Sequence, residues 1–571
     1  MMRATTVIWR VSFTLNSIGS RVRVQPRIIA AIALWMAVAG SAAAQDPLAD
    51  FRPTGTQPTF MVPPPPPEVI AAYDRIAQGP APEQDQPQGF AGPIPYRPRD
   101  LAGSDYWPIE DRWRVGFPLW DRYYYGNIFD PYHQNVLKGD YPICNDVFFS
   151  FTGVSDSFFE RRNLPVKKGD QVQRLFQQTF FTTFDVFKGD NSFHPSEWFF
   201  RVTPAFRSFS LDPVGTDTFT TVQEAFADYQ LAVVSQYYDT VDIRAGRQVF
   251  VFDFRGFLFA DTNDAVRLFG TADSNRWQWN LFAFETVKKD KVTQLNTFDE
   301  RQQTIAGGNV FYQDFLFNGF NVMGGVLSDH DRIANHVDAY YFELAGDGHI
   351  GRFLVDFAFI QALGHDDFNP IAKRGVTIDA QFAAAEVAYQ MDWFFPKVSA
   401  LYASGDSNPK NGRAKGFDAV FDNPNFAGDG FSFFNRENVA PGGVILSNTF
   451  SFLPNLRTKA ADPVNFVNPG IFLLNAGFQA NLTTRLQYQA NFNYYHLMAS
   501  EPVELKAKKA KVGGDIGGEI NMGLVYKPLI VDNLIIQFGA SALRPGDTIK
   551  DLNGGDRDKL YTVFTAITAI Y

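Results

Sequence analysis

From Leu482 to Tyr494 the chain reads LTTRLQYQANFNY and alternates throughout. Leu482, Thr484, Leu486, Tyr488, Ala490, Phe492 and Tyr494 take the even positions, while Thr483, Arg485, Gln487, Gln489, Asn491 and Asn493 take the odd ones. A period of two belongs to a β-strand, whose successive side chains point to opposite faces, so this stretch predicts one oily and one wet face. It is long enough to cross a bilayer, for which about 9 to 11 tilted residues suffice. A strand of a soluble sandwich also alternates, but its wet face would more often carry Lys and Glu and its dry face aliphatic residues. Here one face is mainly amide and hydroxyl and the other carries rings, which favours a transmembrane barrel strand.

The same pattern recurs along the chain. Val147 to Val154 opens the series, and Phe226 to Tyr238 sets Ala227, Tyr229, Leu231, Val233 and Tyr237 against Asp228, Gln230 and Gln236. Arg276 to Glu285 sets Trp277, Trp279, Leu281 and Ala283 against Arg276, Gln278 and Asn280, and Arg352 to Gln361 sets Phe353, Val355, Phe357 and Phe359 against Arg352 and Asp356. Later, Ile520, Met522, Leu524 and Tyr526 oppose Glu519 and Asn521, and Leu534, Ile536, Phe538, Ala540 and Ala542 oppose Gln537 and Ser541. Alternating segments separated by Gly, Asp, Asn and Pro form a meandering antiparallel sheet. In lipid such a sheet must close to satisfy its backbone groups. The expected fold is therefore all-β: a transmembrane antiparallel β-barrel of about 16 to 18 strands over residues 143–571, with an aqueous lumen. Ser404 to Leu456 lacks alternation and is read as long extracellular loops that fold inward and narrow the barrel.

Composition agrees. The chain holds 58 phenylalanines, yet its apolar residues never form an 18-residue run after the N-terminus, as expected when they alternate with polar ones. Residues 1–44 carry Arg3, Arg10, Arg21, Arg23 and Arg27, then the apolar run Ile28 to Gly40 and Ala42, Ala43 and Ala44, the plan of a secretory signal peptide. Residues 45–105 read as a disordered Pro-rich periplasmic linker, with Pro63 to Pro67 as a stiff polyproline spacer or a tether for a periplasmic partner. Residues 106–142 are rich in aromatics and fit a plug, a latch or a first strand. At the other end, Tyr561 to Tyr571 (YTVFTAITAIY) places Tyr561, Val563, Ile567 and Ala569 on one face and ends on an aromatic residue, similar to the terminal strand signal of bacterial outer-membrane barrels. The expected location is the outer membrane, with its lipid bilayer as the immediate partner.

Within the wall, Arg244 to Gly270 (RAGRQVFVFDFRGFLFADTNDAVRLFG) is the most distinctive segment. Its Gly246, Arg247 and Gln248, followed by Asp253, Arg255, Asn263 and Arg267, resemble a strand and loop of the alginate export porin family. Tyr402 to Asp406 (YASGD), with Phe417 and Asp418 downstream, is similar to that family's later loop. The resemblance implies a passive conduit with a charged constriction, in which arginines attract an anionic sugar and acids tune the opening. A guanidinium stays charged and grips carboxylates bidentately, which suits that role. The residues expected at the constriction are Arg244, Arg247, Asp253, Arg255, Arg267, Arg276, Arg352 and Arg485. Arg244, Arg276, Arg352 and Arg485 oppose apolar faces and are expected to point into the lumen, and Arg247 is expected on a bulge. Pairing with Asp253, Asp264 or Asp356 in support of the wall is the competing reading for any one of them.

Other classes find little support. The formal charge of −10 disfavours nucleic-acid binding, and the single cysteine, Cys144, excludes an intrachain disulfide and a Cys-based zinc site. His330, His336 and Asp338 at a turn read as a solvated loop rather than a metal site. No nucleophile elbow, phosphate loop or cofactor motif appears, so no enzyme activity, catalytic residue, metal or cofactor is expected. The sequence predicts a porin-like outer-membrane channel for passive passage of anionic or polar carbohydrate or other small polar solutes. The alternative is a structural barrel that docks or sheathes a periplasmic partner.

Overall fold

The computed structural model describes residues 136–571 apart from 140–141, 145, 167–168, 190–195, 213–214, 236, 238, 291–292, 294, 334–335, 423, 437–463, 530–532 and 554–559. The expected signal peptide, the Pro-rich linker and most of the aromatic block lie outside the described residues, as does the end of the Ser404 to Leu456 segment.

The strands are β1 (Val147–Val166), β2 (Gly169–Lys188), β3 (Trp198–Asp212), β4 (Gly215–Val233), β5 (Thr240–Val251), β6 (Ala260–Ala272) and β7 (Trp277–Lys289). Next come β8 (Asn296–Tyr312), β9 (Phe320–Asp331), β10 (Val337–Ile350), β11 (Phe353–Asn369), β12 (Arg374–Tyr389), β13 (Phe394–Ala403) and β14 (Arg413–Ala414). The chain ends with β15 (Ile471–Asn481), β16 (Leu486–Leu497), β17 (Asp515–Tyr526), β18 (Leu534–Pro545) and β19 (Leu560–Ile570). Of these 19 strands, β14 is a two-residue piece lying parallel to β12, so 18 form the wall, each antiparallel to its neighbours. The ring closes where β1 meets β19, with Val154 opposite Ile570 and Asn163 opposite Tyr561. Closure removes the sheet edges that lipid could not solvate.

The strands sort their residues as the alternation predicts. Tyr229 (57% exposed), Leu231, Trp277, Phe353, Phe359, Phe492, Ile520 and Phe538 face outward, whereas Asn491, Asn493, Glu519 and Asn521 are buried inside. The outer surface is therefore an apolar belt around a closed ring, the form of a transmembrane barrel. One detail differs: Leu482 to Arg485 form a turn, and β16 begins only at Leu486. Thr483 offers its hydroxyl oxygen to the backbone N–H groups of Arg485 and Leu486, a local bond that competes with the strand ladder.

Connections fall at two ends. The end shared with Tyr571 has short turns such as 273–276, 351–352, 390–393 and 482–485, while the opposite end has 252–259, 404–470 and 498–514. The described parts of the first two turn into the barrel. Phe252, Phe257, Leu258 and Phe259 of the first, with Phe417, Phe426, Phe433 and Phe434 of the second, join Val337, Tyr341, Ile360, Ile378, Phe382 and Leu401 of the wall in one apolar core. Gly325 of β9 makes the room, since a Cβ there would stand 2.5 Å from the Phe252 ring. The lumen expected to be wet is thus dry along one arc at the loop end. Inward residues nearer the other end, among them Asp156, Gln489, Gln537 and Thr568, are only half-buried.

Candidate functional site

Two constellations occupy the inside of the wall, and each follows from how its residues are spaced. The first is the loop between β5 and β6. Asp253 turns it: one carboxylate oxygen accepts the backbone N–H groups of Arg255 (2.8 Å), Gly256 (2.6 Å) and Phe257 (3.1 Å), and the other accepts that of Leu258 (3.0 Å). Gly256 takes the positive φ of 74° that the tight turn requires. Burial pushes the Asp253 carboxyl above its usual range, with the four N–H bonds opposing it.

Folding the loop this way presents Arg255 to the far wall. Its Nε donates to Asp356 of β11 (3.0 Å), Nη2 to Glu386 of β12 (3.1 Å) and Nη1 to the carbonyl of Asn425 (2.8 Å). Desolvation alone would lower the Arg255 pKa, but the Asp356 and Glu386 carboxylates outweigh it and hold the guanidinium more firmly charged than usual. Arg255 thereby ties both inward loops to the barrel. The pairing continues along the wall as an amide belt. Ser399 donates to Glu386 (2.7 Å) and stands 3.1 Å from the Asn475 amide oxygen, Asn475 donates to Asn491 (3.3 Å) and Asn493 (2.6 Å), Asn491 to Asn521 (3.1 Å) and Asn521 to Glu519 (2.8 Å).

The second constellation lies on β1 to β6, where inward arginines pair with acids and amides, most of them on the neighbouring strand. Arg162 donates to Gln173 (2.9 Å), Arg201 grips Asp185 through two bonds (2.8 and 3.0 Å), and Arg207 reaches Asp217 (3.0 Å) and Asp290 (3.5 Å). Arg244 pairs with Asp228 (2.7 Å), and Arg267 donates to Asn280 (2.7 Å). Phenylalanine faces support them: Arg244 stands 4.5 Å from the Phe226 ring centre and Arg267 4.4 Å from that of Phe250. A guanidinium on a ring keeps its charge while its edges remain free to form hydrogen bonds.

Of the eight residues expected at a constriction, Arg244, Arg267, Asp253 and Arg255 lie inside, the first two on the charged arc and the last two in the loop. Arg247 lies elsewhere. It shares the outward row of Ala245 and Val249 and forms a bidentate pair with Asp264 (2.9 and 3.1 Å), plus bonds to the carbonyls of Val222 and Thr297. The irregularity next to it is real, because Gly246 has φ 121° and a Cβ there would collide with the Ala225 carbonyl. Arg276, Arg352 and Arg485 are exposed in the short turns rather than pointing into the lumen. Each is the last turn residue or next to it, so extending the alternation backward by one step misplaced it. His330 and Asp338 form a 2.7 Å pair on the outer rim, and among the described residues no group of three or more His, Cys, Asp or Glu could hold a metal ion.

Sequence reasoning passed over Arg162, Arg201 and Arg207. A signal was present: Arg201, Thr203, Ala205 and Arg207 alternate with the exposed Phe200, Val202 and Phe206.

No protein-family model matches the chain, and no curated protein resembles it in sequence. Solved structures do resemble it. The Pseudomonas aeruginosa protein OccK2 (OpdF) is 12% identical with a TM-score of 0.46, over 74% of this chain and 97% of that one; it has also been solved in complex with glucuronate. The outer-membrane protein OpdK of the same organism is 11% identical with a TM-score of 0.46, over 74% of this chain and 98% of that one. OccK5 (OpdH) is 10% identical with a TM-score of 0.45, over 74% and 97%.

Proposed function

We propose that this chain is an outer-membrane channel, of the alginate export type in its loop motifs, that lets anionic or polar carbohydrate or other small polar solutes pass by diffusion. The observation that carries this reading is the arc of β1 to β6, where Arg162, Arg201, Arg207, Arg244 and Arg267 face inward in pairs with acids and amides, Arg207 and Arg267 fully buried and Arg244 the most accessible. A polar solute sheds water readily only where fixed donors and acceptors replace it, and a wall of paired charges supplies both. The passage runs along the β1 to β4 side, because the phenylalanine core at the loop end takes in residues from Phe250 of β5 round to Leu560 of β19. Arg255 acts here as the tie that keeps the loops against the far wall and so sets the width of the opening. Asp253 serves by shaping that loop.

Purified protein in a planar bilayer tests the proposal. Open-channel conductance is expected, with a reversal potential in a salt gradient that moves when Arg244 is replaced by Ala. A barrel that never conducts would instead support a structural role in docking a periplasmic partner, the tether then being the Pro63 to Pro67 segment.

A further inference from the structure

Near the loop end of β1 and β2, two arginines face outward rather than into the barrel. Arg161 and Arg174 are direct cross-strand partners, both exposed, and their row continues to Val563 on β19 and Asp212 on β3. Like charges placed directly opposite one another destabilise a sheet unless something neutralises them. Among the described residues neither arginine has a hydrogen bond or an ion pair, and the register neighbour Asp212 forms none with Arg174. The acid on the adjacent inward row, Glu160, is already held by Arg436, Arg162 and Thr562. Directly beneath the arginines an apolar row is also uncovered: Phe159 (47% exposed) and Phe176 (37%) touch ring to ring at 4.8 Å, beside Val563 (52%). These side chains line one open recess on the outer wall.

Height decides what such a recess meets. At the opposite end of the same strand Phe151 packs against Phe184 (5.4 Å) and Tyr571 (5.8 Å), an aromatic row of the kind that marks a membrane interface. From Phe151 to Arg161 the rise of about 3.3 Å per residue, tilted by about 40°, gives roughly 25 Å, the height of the apolar band of a barrel. The arginines therefore stand at the other water interface, with the rings just inside the hydrocarbon. We infer that Arg161 and Arg174 together bind the phosphate of an anionic lipid in the loop-end leaflet, its acyl chain lying along Phe159, Phe176 and Val563. Two planar forks side by side can each donate two bonds to phosphate oxygens, and neutralisation by the headgroup relieves their mutual repulsion. The inference concerns the outside of the wall and is separate from whether the barrel conducts.

The test uses the full chain in nanodiscs of phosphatidylcholine with or without phosphatidic acid. Lipids retained after mild delipidation are counted by native mass spectrometry, and the thermal midpoint is followed in parallel. The wild-type protein is expected to retain phosphatidic acid over phosphatidylcholine by about tenfold, a difference that two charge-assisted contacts readily supply. Arg161→Ala with Arg174→Ala should abolish that preference without lowering the midpoint in phosphatidylcholine alone, and Arg161→Lys with Arg174→Lys should keep part of it. Undiminished preference in the double Ala variant would overturn the inference. So would a midpoint that falls equally in both nanodiscs, which would make the arginines structural. Displacement of the lipid by inorganic phosphate at low millimolar concentration would also overturn it, as the mark of a free-phosphate site.

Discussion

Along β3 to β6 the inward row sets arginines and acids among phenylalanines, whereas along β10 to β13 at the loop end it is Val, Ala, Tyr, Ile and Phe packed against a loop. The two arcs also find their partners at different ranges. Arg201 and Asp185 are 16 residues apart, as are Arg244 and Asp228, and Arg207 is 10 from Asp217. Arg255 reaches Asp356 at a separation of 101, Glu386 at 131 and Asn425 at 170. A hairpin pairs its own charges as soon as it forms. The filled arc exists only after the ring has closed and the loops have entered it, so one tie has to hold elements that no hairpin brings together.

This contrast can be broken at the tie. Arg255→Ala removes the guanidinium that Asp356 and Glu386 share, leaving Glu386 to Lys397, and removing one partner of such a buried pair costs about 3–5 kcal/mol. The expected outcome is a clearly lower unfolding midpoint in detergent, together with a larger and noisier single-channel conductance as the loops leave the wall. Gly325→Val strikes the same arc through packing alone. The added side chain meets Phe252, and overpacking of this kind costs about 1–3 kcal/mol, read as a smaller fall in midpoint with the ion selectivity kept. On the charged arc, Arg244→Ala should shift the reversal potential toward cations while changing the midpoint less than Arg255→Ala does. Arg247→Ala sharpens the comparison because its Asp264 pair lies on the outward row: the reversal potential should stay where it is. The smallest effect belongs to Arg276, Arg352 and Arg485, whose replacement by Ala in the exposed turns should move neither reading. A selectivity change from any of these three would mean that the passage is gated at the turn end.

Much of the wall was legible because a strand exposes its period in the residues themselves. Phe353, Phe359, Ile520 and Phe538 point where the alternation put them, as do Asp356, Glu519 and Asn521 on the other face. Among the candidate residues, Arg244 followed the same rule and lies inside. Arg276, Arg352 and Arg485 did not, because a period of two says nothing about where a strand stops. Thr483, which bonds to the backbone two and three residues ahead, ends the pattern just before β16 begins.

Fold class, the two faces of each strand and the aromatic end of the last one follow from local chemistry, since a pleated backbone in lipid leaves each side chain only two directions. Which arc stays polar and which is filled does not follow from any stretch of residues. The run FDFRGFLF (252–259), read alone, does not show how it folds or what its arginine meets. Its four backbone bonds to Asp253 fold it, Gly325 across the barrel gives it room, and Asp356 and Glu386 hold its arginine, groups that come within reach only when the wall has closed.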